Sequence, residues 1–220
     1  MNTSATHEDH LTFDAQQAHW QKTFASRPEM FGAQPSYPAR EAAALFQCEN
    51  KRTLLELGAG QGRDTLFFLR NGFEICAVDY SEKGLEDLRN KAERLDLGRA
   101  VQTVRHDVRR PLPFEANTFD TCFSHMLYCM ALTTAELETL SEEIRRVLKP
   151  GGLNLYTARN THDPTTARGS TVGTTCSKTK ALSCITSVAT RWNGWRWAIN
   201  CSISRSSRKA NCRNGSTSSH

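Results

Sequence analysis

A glycine-rich loop near residue 60 constrains the fold of this chain more than any other stretch. Residues 53–57 (Thr-Leu-Leu-Glu-Leu) form a short apolar run that predicts a buried strand. Three alternating glycines follow from Gly58 to Gly62, and glycine lets the backbone turn tightly and approach a ligand closely. Helix-forming residues run from Arg63 to Leu69, and Gly72 stands where a C-terminal cap is expected. The stretch therefore predicts a strand, a ligand-binding loop and a helix.

The glycine spacing indicates which ligand the loop binds. A dinucleotide-binding loop has the pattern Gly-x-Gly-x-x-Gly, whereas this chain has Gly-x-Gly-x-Gly and places Arg63 at the position of the last glycine. The acidic Glu56 precedes the first glycine by two residues and would lie unfavourably beside a pyrophosphate. We therefore expect a ligand with a cationic end.

A second carboxylate follows the next predicted strand. Residues 73–78 are mostly apolar or β-branched, and Asp79 comes directly after them. An acid at this position of a doubly wound sheet can accept hydrogen bonds from ribose hydroxyls, and it can also cap the next helix. Ser81 is the better cap, because apolar residues at helical spacing begin after it. We interpret Asp79 as a ribose ligand.

Two further strands complete the predicted sheet around the loop. Residues 100–104 predict a third strand, after which Asp107 stands in a turn. Residues 121–124 predict a fourth, and the segment from His125 to Met130 follows it. Because ligands collect at the carboxyl ends of the central strands in an open α/β sheet, this segment is expected to line the binding crevice.

These motifs together resemble the class I S-adenosylmethionine-dependent methyltransferases. The resemblance rests on Glu-x-Gly-x-Gly-x-Gly at Glu56 to Gly62, on Asp79 and Asp107 in order, and on Leu-Lys-Pro-Gly-Gly before the fifth strand; it covers about residues 20–164. It implies an α/β fold, a Rossmann-like doubly wound and mostly parallel sheet in a single domain. It also implies that S-adenosyl-L-methionine is bound by Glu56, Gly58, Ala59, Gly60, Gly62, Asp79, Tyr80, Asp107, Val108 and Ser124.

Each implied contact has a stated role in the family pattern. Glu56 and the glycine loop would hold the methionine end, and Asp79 the ribose. Asp107 would accept a hydrogen bond from the adenine amino group, and the backbone amide of Val108 would contact the ring. His125 and Tyr128 are candidates for taking a proton from the methyl acceptor and for orienting it, although a single His or Tyr is more often a structural group. The catalytic residues otherwise stay open.

The expected reaction is methyl transfer to a small molecule, which needs little covalent help because a sulfonium is already activated. A nicotinamide-dependent oxidoreductase is the alternative enzyme, and Arg63 in place of glycine argues against it. A catalytically inactive remnant or a binding protein is the alternative of another class. The residues leave the methyl acceptor and the oligomeric state open.

The N-terminal segment, residues 1–38, is expected to cover the domain formed by residues 39–163. Large apolar groups alternate with turn residues up to Pro38. Two interpretations stay open for this segment. It either packs on the domain as ordinary core, or places Phe31, Ser36 and Tyr37 over the cofactor as the family resemblance implies.

The last 57 residues, from Pro164 to His220, differ abruptly from the rest. They hold 20 Ser and Thr, nine Lys and Arg and no acid, whereas residues 1–163 hold 19 Lys and Arg against 23 acids. Two explanations stay open: a basic interaction tail with the aromatic run from Arg191 to Trp197, or a frameshifted ending, which we favour. The strands expected after the fifth could not be found, so we predict an exposed edge there.

Basicity confined to this tail is no evidence for nucleic-acid binding by the domain, and no nucleic-acid partner is expected. The chain has eight cysteines without Cys-x-x-Cys spacing, so we assign no metal and expect buried thiols in a reducing compartment. With neither an apolar run of membrane-spanning length nor a signal-peptide pattern, the sequence predicts a cytoplasmic protein without a membrane partner.

Overall fold

The computed structural model describes residues 13–158 and, for the backbone, residues 186–191. Helices alternate with strands along most of this length. The helices are α1 (Phe13–Ser26), α2 (Tyr37–Cys48), α3 (Arg63–Arg70), α4 (Glu82–Arg94) and α5 (Thr134–Val147). The strands are β1 (Thr53–Leu57), β2 (Glu74–Asp79), β3 (Val101–Arg105), β4 (Phe119–Ser124), β5 (Leu148–Ala158) and β6 (Thr186–Arg191).

The strands form one twisted layer in the order β3-β2-β1-β4-β5-β6. The pairs from β3 to β5 are parallel, and β6 runs antiparallel to β5. Strand β1 therefore lies at the centre, with its neighbours β2 and β4 reached by crossovers in opposite directions. The predicted doubly wound, mostly parallel sheet is confirmed, and the reversal of strand order beside β1 is where such sheets bind ligands.

Helices cover both faces of the sheet, which explains why β1 is apolar on both sides. Leu54 faces a core that contains Phe46 of α2, Phe68 of α3 and Leu88 of α4. Leu55 and Leu57 face the other core, to which α5 and α1 contribute apolar side chains. Because both faces are dry, a carboxylate on β1 is buried unless it lies at the open end of the strand.

Short polar motifs fix where the helices begin. The side chain of Ser81 accepts a hydrogen bond from the Gly84 amide at the start of α4, as the sequence predicts. Thr133 and Glu136 form a reciprocal capping box at the start of α5. Helix α3 has no side-chain cap. Its N-cap residue is Gly62, whose left-handed backbone directs the chain from the loop into the helix.

The C-terminal edge of the sheet differs from the prediction. Strand β6 pairs with β5 from Leu153 to Ala158, so β5 is covered along the edge that was expected to be exposed. The residues of β6 lie inside the segment in which no strand was predicted. Their local sequence pattern does not indicate a strand, and β6 is defined by its pairing with β5. Strand β5 also begins earlier than expected, since Leu148 already pairs with Phe119 of β4.

Among residues 13–158 and 186–191, no helix is both long and apolar enough to cross a lipid bilayer.

Candidate functional site

A cleft opens at the carboxyl ends of β1, β2 and β4, beneath residues 20–32. It encloses about 930 Å³, counting the part open to solvent. Six of the predicted cofactor contacts line it, and we call it the cofactor cavity. They are Glu56, Gly58, Ala59, Gly60, Asp79 and Tyr80.

Glu56 lies on the floor of this cavity with only 3% of its surface exposed. Its Oε2 atom is buried and has no hydrogen-bond partner among the described residues. Burial, and after it the neighbouring Asp64 carboxylate, raises the pKa of Glu56 to about 8. A buried carboxyl group with one unpaired oxygen is unfavourable on its own, so this group is suited to receive a cation or a strong donor from a ligand.

Asp79 joins β2 to the glycine loop. Its Oδ2 accepts a hydrogen bond from the Gly60 amide and its Oδ1 accepts one from the Ser81 amide, each at 2.8 Å. Burial raises the pKa of Asp79 to about 6, and these backbone donors oppose the rise. The carboxylate therefore holds the loop in shape, while its place on the cavity wall leaves it within reach of a ligand's hydroxyl groups.

Gly62, predicted as a cofactor contact, instead serves packing. Its φ of +81° lies in the left-handed region, and a Cβ there would collide with the side chain of Leu88 on α4. Its amide donates to the Ala59 carbonyl at 2.9 Å and thus closes the loop on itself. The third glycine is required because helix α4 packs directly against the loop, outside the cavity lining.

Asp107 lies beside a second, shallower depression that shares Tyr80 with the cofactor cavity. Both of its carboxylate oxygens accept hydrogen bonds from the Arg109 side chain at distances between 2.6 and 3.1 Å. Burial acts to raise the pKa of Asp107, but these bonds outweigh it and lower the pKa. Asp107 thus lines the depression that adjoins the cofactor cavity at Tyr80. An adenine amino group would have to share the Asp107 carboxylate with Arg109.

Three other predicted residues lie outside the lining of both depressions. Val108 is buried in the core on the α5 side of the sheet, and Ser124 is fully buried at the end of β4. Tyr128 stacks on Tyr156 with ring centroids 4.3 Å apart, and its hydroxyl oxygen is buried. Tyr128 is thus packed on β5, and its contact with a methyl acceptor stays a prediction.

His125 lines the cofactor cavity and is held from behind by β5. Its Nδ1 lies 2.9 Å from the hydroxyl of Thr157, and the same hydroxyl accepts the Met126 amide at 2.9 Å. Met126 has a φ of +68°, a costly conformation for a residue with a side chain. Burial lowers the pKa of His125, so the imidazole is neutral near pH 7.

Residues 20–36 form a roof over the cavity, and we call them the roof. Residues 1–12 of the N-terminal segment lie outside the described residues. Three of its aromatic rings pack together, with Trp20 5.5 Å from Phe24 and 6.0 Å from Phe31. All three line the cavity. Ser36, which one of the two interpretations placed over the cofactor, caps α2 and donates to Asp64, and Tyr37 is 54% exposed.

Asp64 and Gln61 line the cavity although the sequence analysis singled out neither. Asp64 accepts the amide and hydroxyl of Ser36 at 2.7 and 2.8 Å and pairs with Arg63 at 3.0 Å. Gln61 is 4% exposed and hydrogen-bonds to the roof. Both belong to the loop-to-helix stretch, and their polarity next to an otherwise buried turn is the signal that could have marked them.

These residues fit S-adenosylmethionine at its polar groups. The unpaired Glu56 oxygen matches the ammonium of the methionine end, and the glycine loop allows close approach. Asp79 has the position to accept from ribose hydroxyls. Among residues 13–158, no three His, Cys, Asp or Glu side chains are grouped so that they could hold a metal ion.

Residues 54–152 match the model of a protein family that is described as a methyltransferase domain. These residues are therefore similar to S-adenosylmethionine-dependent methyltransferase domains. Phosphoethanolamine N-methyltransferase 1 from Triticum aestivum is 32% identical over 127 residues, or 57% of this chain and 22% of that protein. The CcbJ methyltransferase from Streptomyces caelestis has a TM-score of 0.54 and 28% identity, over 66% of this chain and 57% of its own.

The glycopeptide N-methyltransferase MtfA, crystallised with S-adenosylmethionine, is also similar to the methyltransferase domain. Its TM-score is 0.50 at 27% identity, over 59% of this chain and 52% of that one. The chain thus spans about a fifth of the Triticum aestivum relative and little more than half of the two solved structures. The likeness covers the domain that carries the glycine loop and both carboxylates described above.

Proposed function

We propose that this chain transfers the methyl group of S-adenosylmethionine to a small molecule. The observation that carries the proposal is the buried, unpaired Oε2 of Glu56 at the floor of the cofactor cavity. A dinucleotide would bring a pyrophosphate towards this group and keep it protonated, whereas the ammonium of a methionine end would favour its ionised form and pair with it. The position of Glu56 therefore favours a methyltransferase over an oxidoreductase.

Other residues would hold the rest of the cofactor. Asp79 would accept hydrogen bonds from the ribose hydroxyls while it keeps the amides of Gly60 and Ser81. Tyr80 and Asp107 would border the adenine, since both line the adjoining depression. Val108 lies behind that depression in the core, so only its backbone is proposed as a contact.

The cofactor, when bound, supplies a methyl group that its sulfonium has already activated. The chain would contribute alignment of the acceptor and exclusion of water by the aromatic roof. We propose that His125 accepts the proton that the methyl acceptor releases, because His125 lines the cavity and its imidazole is neutral. That role requires Nδ1–H to donate to Thr157, which leaves Nε2 with a lone pair towards the acceptor.

A calorimetric titration of the full chain tests the cofactor assignment. The wild-type chain is expected to bind S-adenosylmethionine, and Glu56→Gln to bind it at least about tenfold more weakly because a charge pair is lost. Glu74→Gln is the matched control, since Glu74 is exposed at the start of β2. Binding of NADH without binding of S-adenosylmethionine would overturn the proposal.

The acceptor must come from an activity screen. The similar proteins are named for different acceptors, among them phosphoethanolamine and a glycopeptide, so they narrow the choice only to compounds with a nucleophilic atom. Binding of the cofactor without turnover on any amine or hydroxyl acceptor would favour the inactive remnant. We also propose a cytoplasmic location, which the buried free thiols of Cys76 and Cys122 support.

A further inference from the structure

The side chain of Gln61 connects three parts of the molecule around the cofactor cavity. Its Nε2 donates to the Arg27 carbonyl at 3.2 Å and to Oδ2 of Asp87, on α4, at 2.9 Å. The Phe24 carbonyl lies 3.5 Å from the same nitrogen. Its Oε1 accepts the Met30 amide at 3.2 Å. One buried amide thus joins the loop, helix α4 and the roof.

The chemistry of these partners requires a glutamine. On one side Gln61 meets two carbonyl oxygens and a carboxylate, which need a donor; on the other it meets a backbone amide, which needs an acceptor. A glutamate would direct an oxygen at the Asp87 carboxylate and at the carbonyl of Arg27. A leucine of similar size would leave all of these groups without their bonds in a buried place.

The contacts lie where the roof turns away from α1. Helix α1 ends at Ser26, so the Phe24 carbonyl is among those that a helix end leaves without an intrahelical partner, and the Arg27 carbonyl follows directly after the helix. The Phe24 ring meanwhile packs against the loop, 3.3 Å from where a Cβ on Gly60 would lie. The amide of Gln61 therefore fixes the height of the aromatic rings above the glycine loop.

We propose that Gln61 is the positioning residue that holds the roof over the cofactor cavity and thereby sets how long the cofactor stays bound. It acts through Phe24 and the 27–30 turn rather than by touching the reacting atoms. The proposal rests on the proposed function only for the identity of the ligand, since the contacts with the roof are made by the chain itself.

Three full-length variants test this role. Gln61→Glu breaks the donor side, and Gln61→Glu/Asp87→Asn reverses the polarity of the pair so that the asparagine amide can donate to the new carboxylate. Gln47→Glu makes the same chemical change on α2, where Gln47 is exposed and bonds only to the Asn71 carbonyl among the contacts described. Hydrogen exchange of residues 24–32 is measured without ligand, and release of S-adenosylmethionine by stopped flow.

Gln61→Glu is expected to speed both roof exchange and cofactor release by about tenfold or more, while exchange in β1 and β4 stays unchanged. The double variant should recover the part of both losses that comes from repulsion by Asp87, while the Arg27 carbonyl stays without a donor. Gln47→Glu should behave as wild type. Wild-type rates in Gln61→Glu, or no recovery in the double variant, would overturn the proposal. If the wild-type chain bound no S-adenosylmethionine, the proposed function would fail, and roof exchange alone would decide the role of Gln61.

Discussion

Glu56 combines deep burial with an unpaired oxygen, and this combination sets a pH dependence. Its pKa is about 8 in the folded chain against an ordinary value of 4.5. Between these pH values the folded chain holds a proton that the unfolded chain has released, so rising pH lowers the unfolding free energy. The loss from this group is about 1.4 kcal/mol per pH unit, is absent below pH 4.5 and levels off above pH 8.

Glu56→Gln should therefore stabilise the ligand-free chain, and by more at pH 8 than at pH 5.5. The difference in unfolding free energy between variant and wild type should grow by about 1.4 kcal/mol per pH unit across this range. Urea denaturation followed by circular dichroism at several pH values measures it. Glu74→Gln should show no such growth, and a difference independent of pH in Glu56→Gln would contradict the assignment.

Thr157 supports His125 through a hydroxyl that also accepts the Met126 amide. Thr157→Val removes the hydroxyl at nearly constant volume and leaves that amide without its bond, which should cost about 1–3 kcal/mol of unfolding free energy. Thr157→Ser should retain most of the stability. Given a methyl acceptor, Thr157→Val should lower kcat with little change in KM and shift the pH profile. Unchanged stability and an unchanged profile would show that the hydroxyl is dispensable.

Among single residues, the sequence indicated the carboxylates at the ends of buried strands. Glu56 and Asp79 could be predicted because an acid at the end of a buried strand has few structural reasons to be there. Gln61 and Thr157 could not, since their roles depend on partners 26 or more residues away along the chain. The pairing of Asp107 with Arg109 was also unpredictable, because two residues of a turn can face the same way or diverge.

At the scale of elements, the junction between the glycine loop and α4 explains why the third glycine is needed. Gly62 and Gly72 both have a positive φ, +81° and +83°, but no atom lies within 4 Å of a Cβ built on Gly72. Substitution of either by alanine carries the backbone cost of the left-handed conformation. Only at Gly62 is a steric cost added, from the side chain of Leu88.

Gly72→Ala should lower the unfolding free energy by about 1–2 kcal/mol, the cost of the left-handed backbone. Gly62→Ala should lower it further, by about another 1–3 kcal/mol, because a side chain enters a filled space. Chemical denaturation of the two variants in parallel gives both values. Equal losses would show that α4 can move away from the loop without cost.

The elements themselves were the most predictable part of the fold. The cap at Ser81 is local chemistry, so α4 begins where the sequence indicated. The position of the roof depends instead on buried contacts between distant segments. This is why the sequence left two interpretations of residues 1–38 open, while the structure brings Phe31 to the cavity and directs Ser36 to Asp64.

At the scale of the whole molecule, strand β6 gives the sheet an antiparallel border. It pairs with β5 from Leu153 to Ala158, which would otherwise present a row of unpaired backbone groups. The strand was missed because residues 186–191 show no alternation of apolar and polar residues. The other tail residues, including Trp192 to Trp197, lie outside the described residues, and the frameshift hypothesis stays a prediction that the coding DNA would test.

Truncation separates the contribution of β6 from that of the remaining tail. A chain ending at residue 163 should self-associate, because the edge of β5 becomes available to a second copy. A chain ending at residue 191 retains the strand and should associate less. Light scattering after size-exclusion chromatography measures both. Two equally monodisperse, monomeric products would show that β6 does not protect the sheet.

Under the proposed function, the carboxylate at the centre of the sheet would also link this protein's abundance to the supply of the methyl donor. A binding group that weakens the empty fold makes the occupied fold the durable one, since a ligand that binds only the folded state shifts the unfolding equilibrium. Cells depleted of the methyl donor would then degrade the protein faster, because proteases act on the transiently unfolded population. Supply of the donor would in this way govern the amount of protein as well as its rate of reaction.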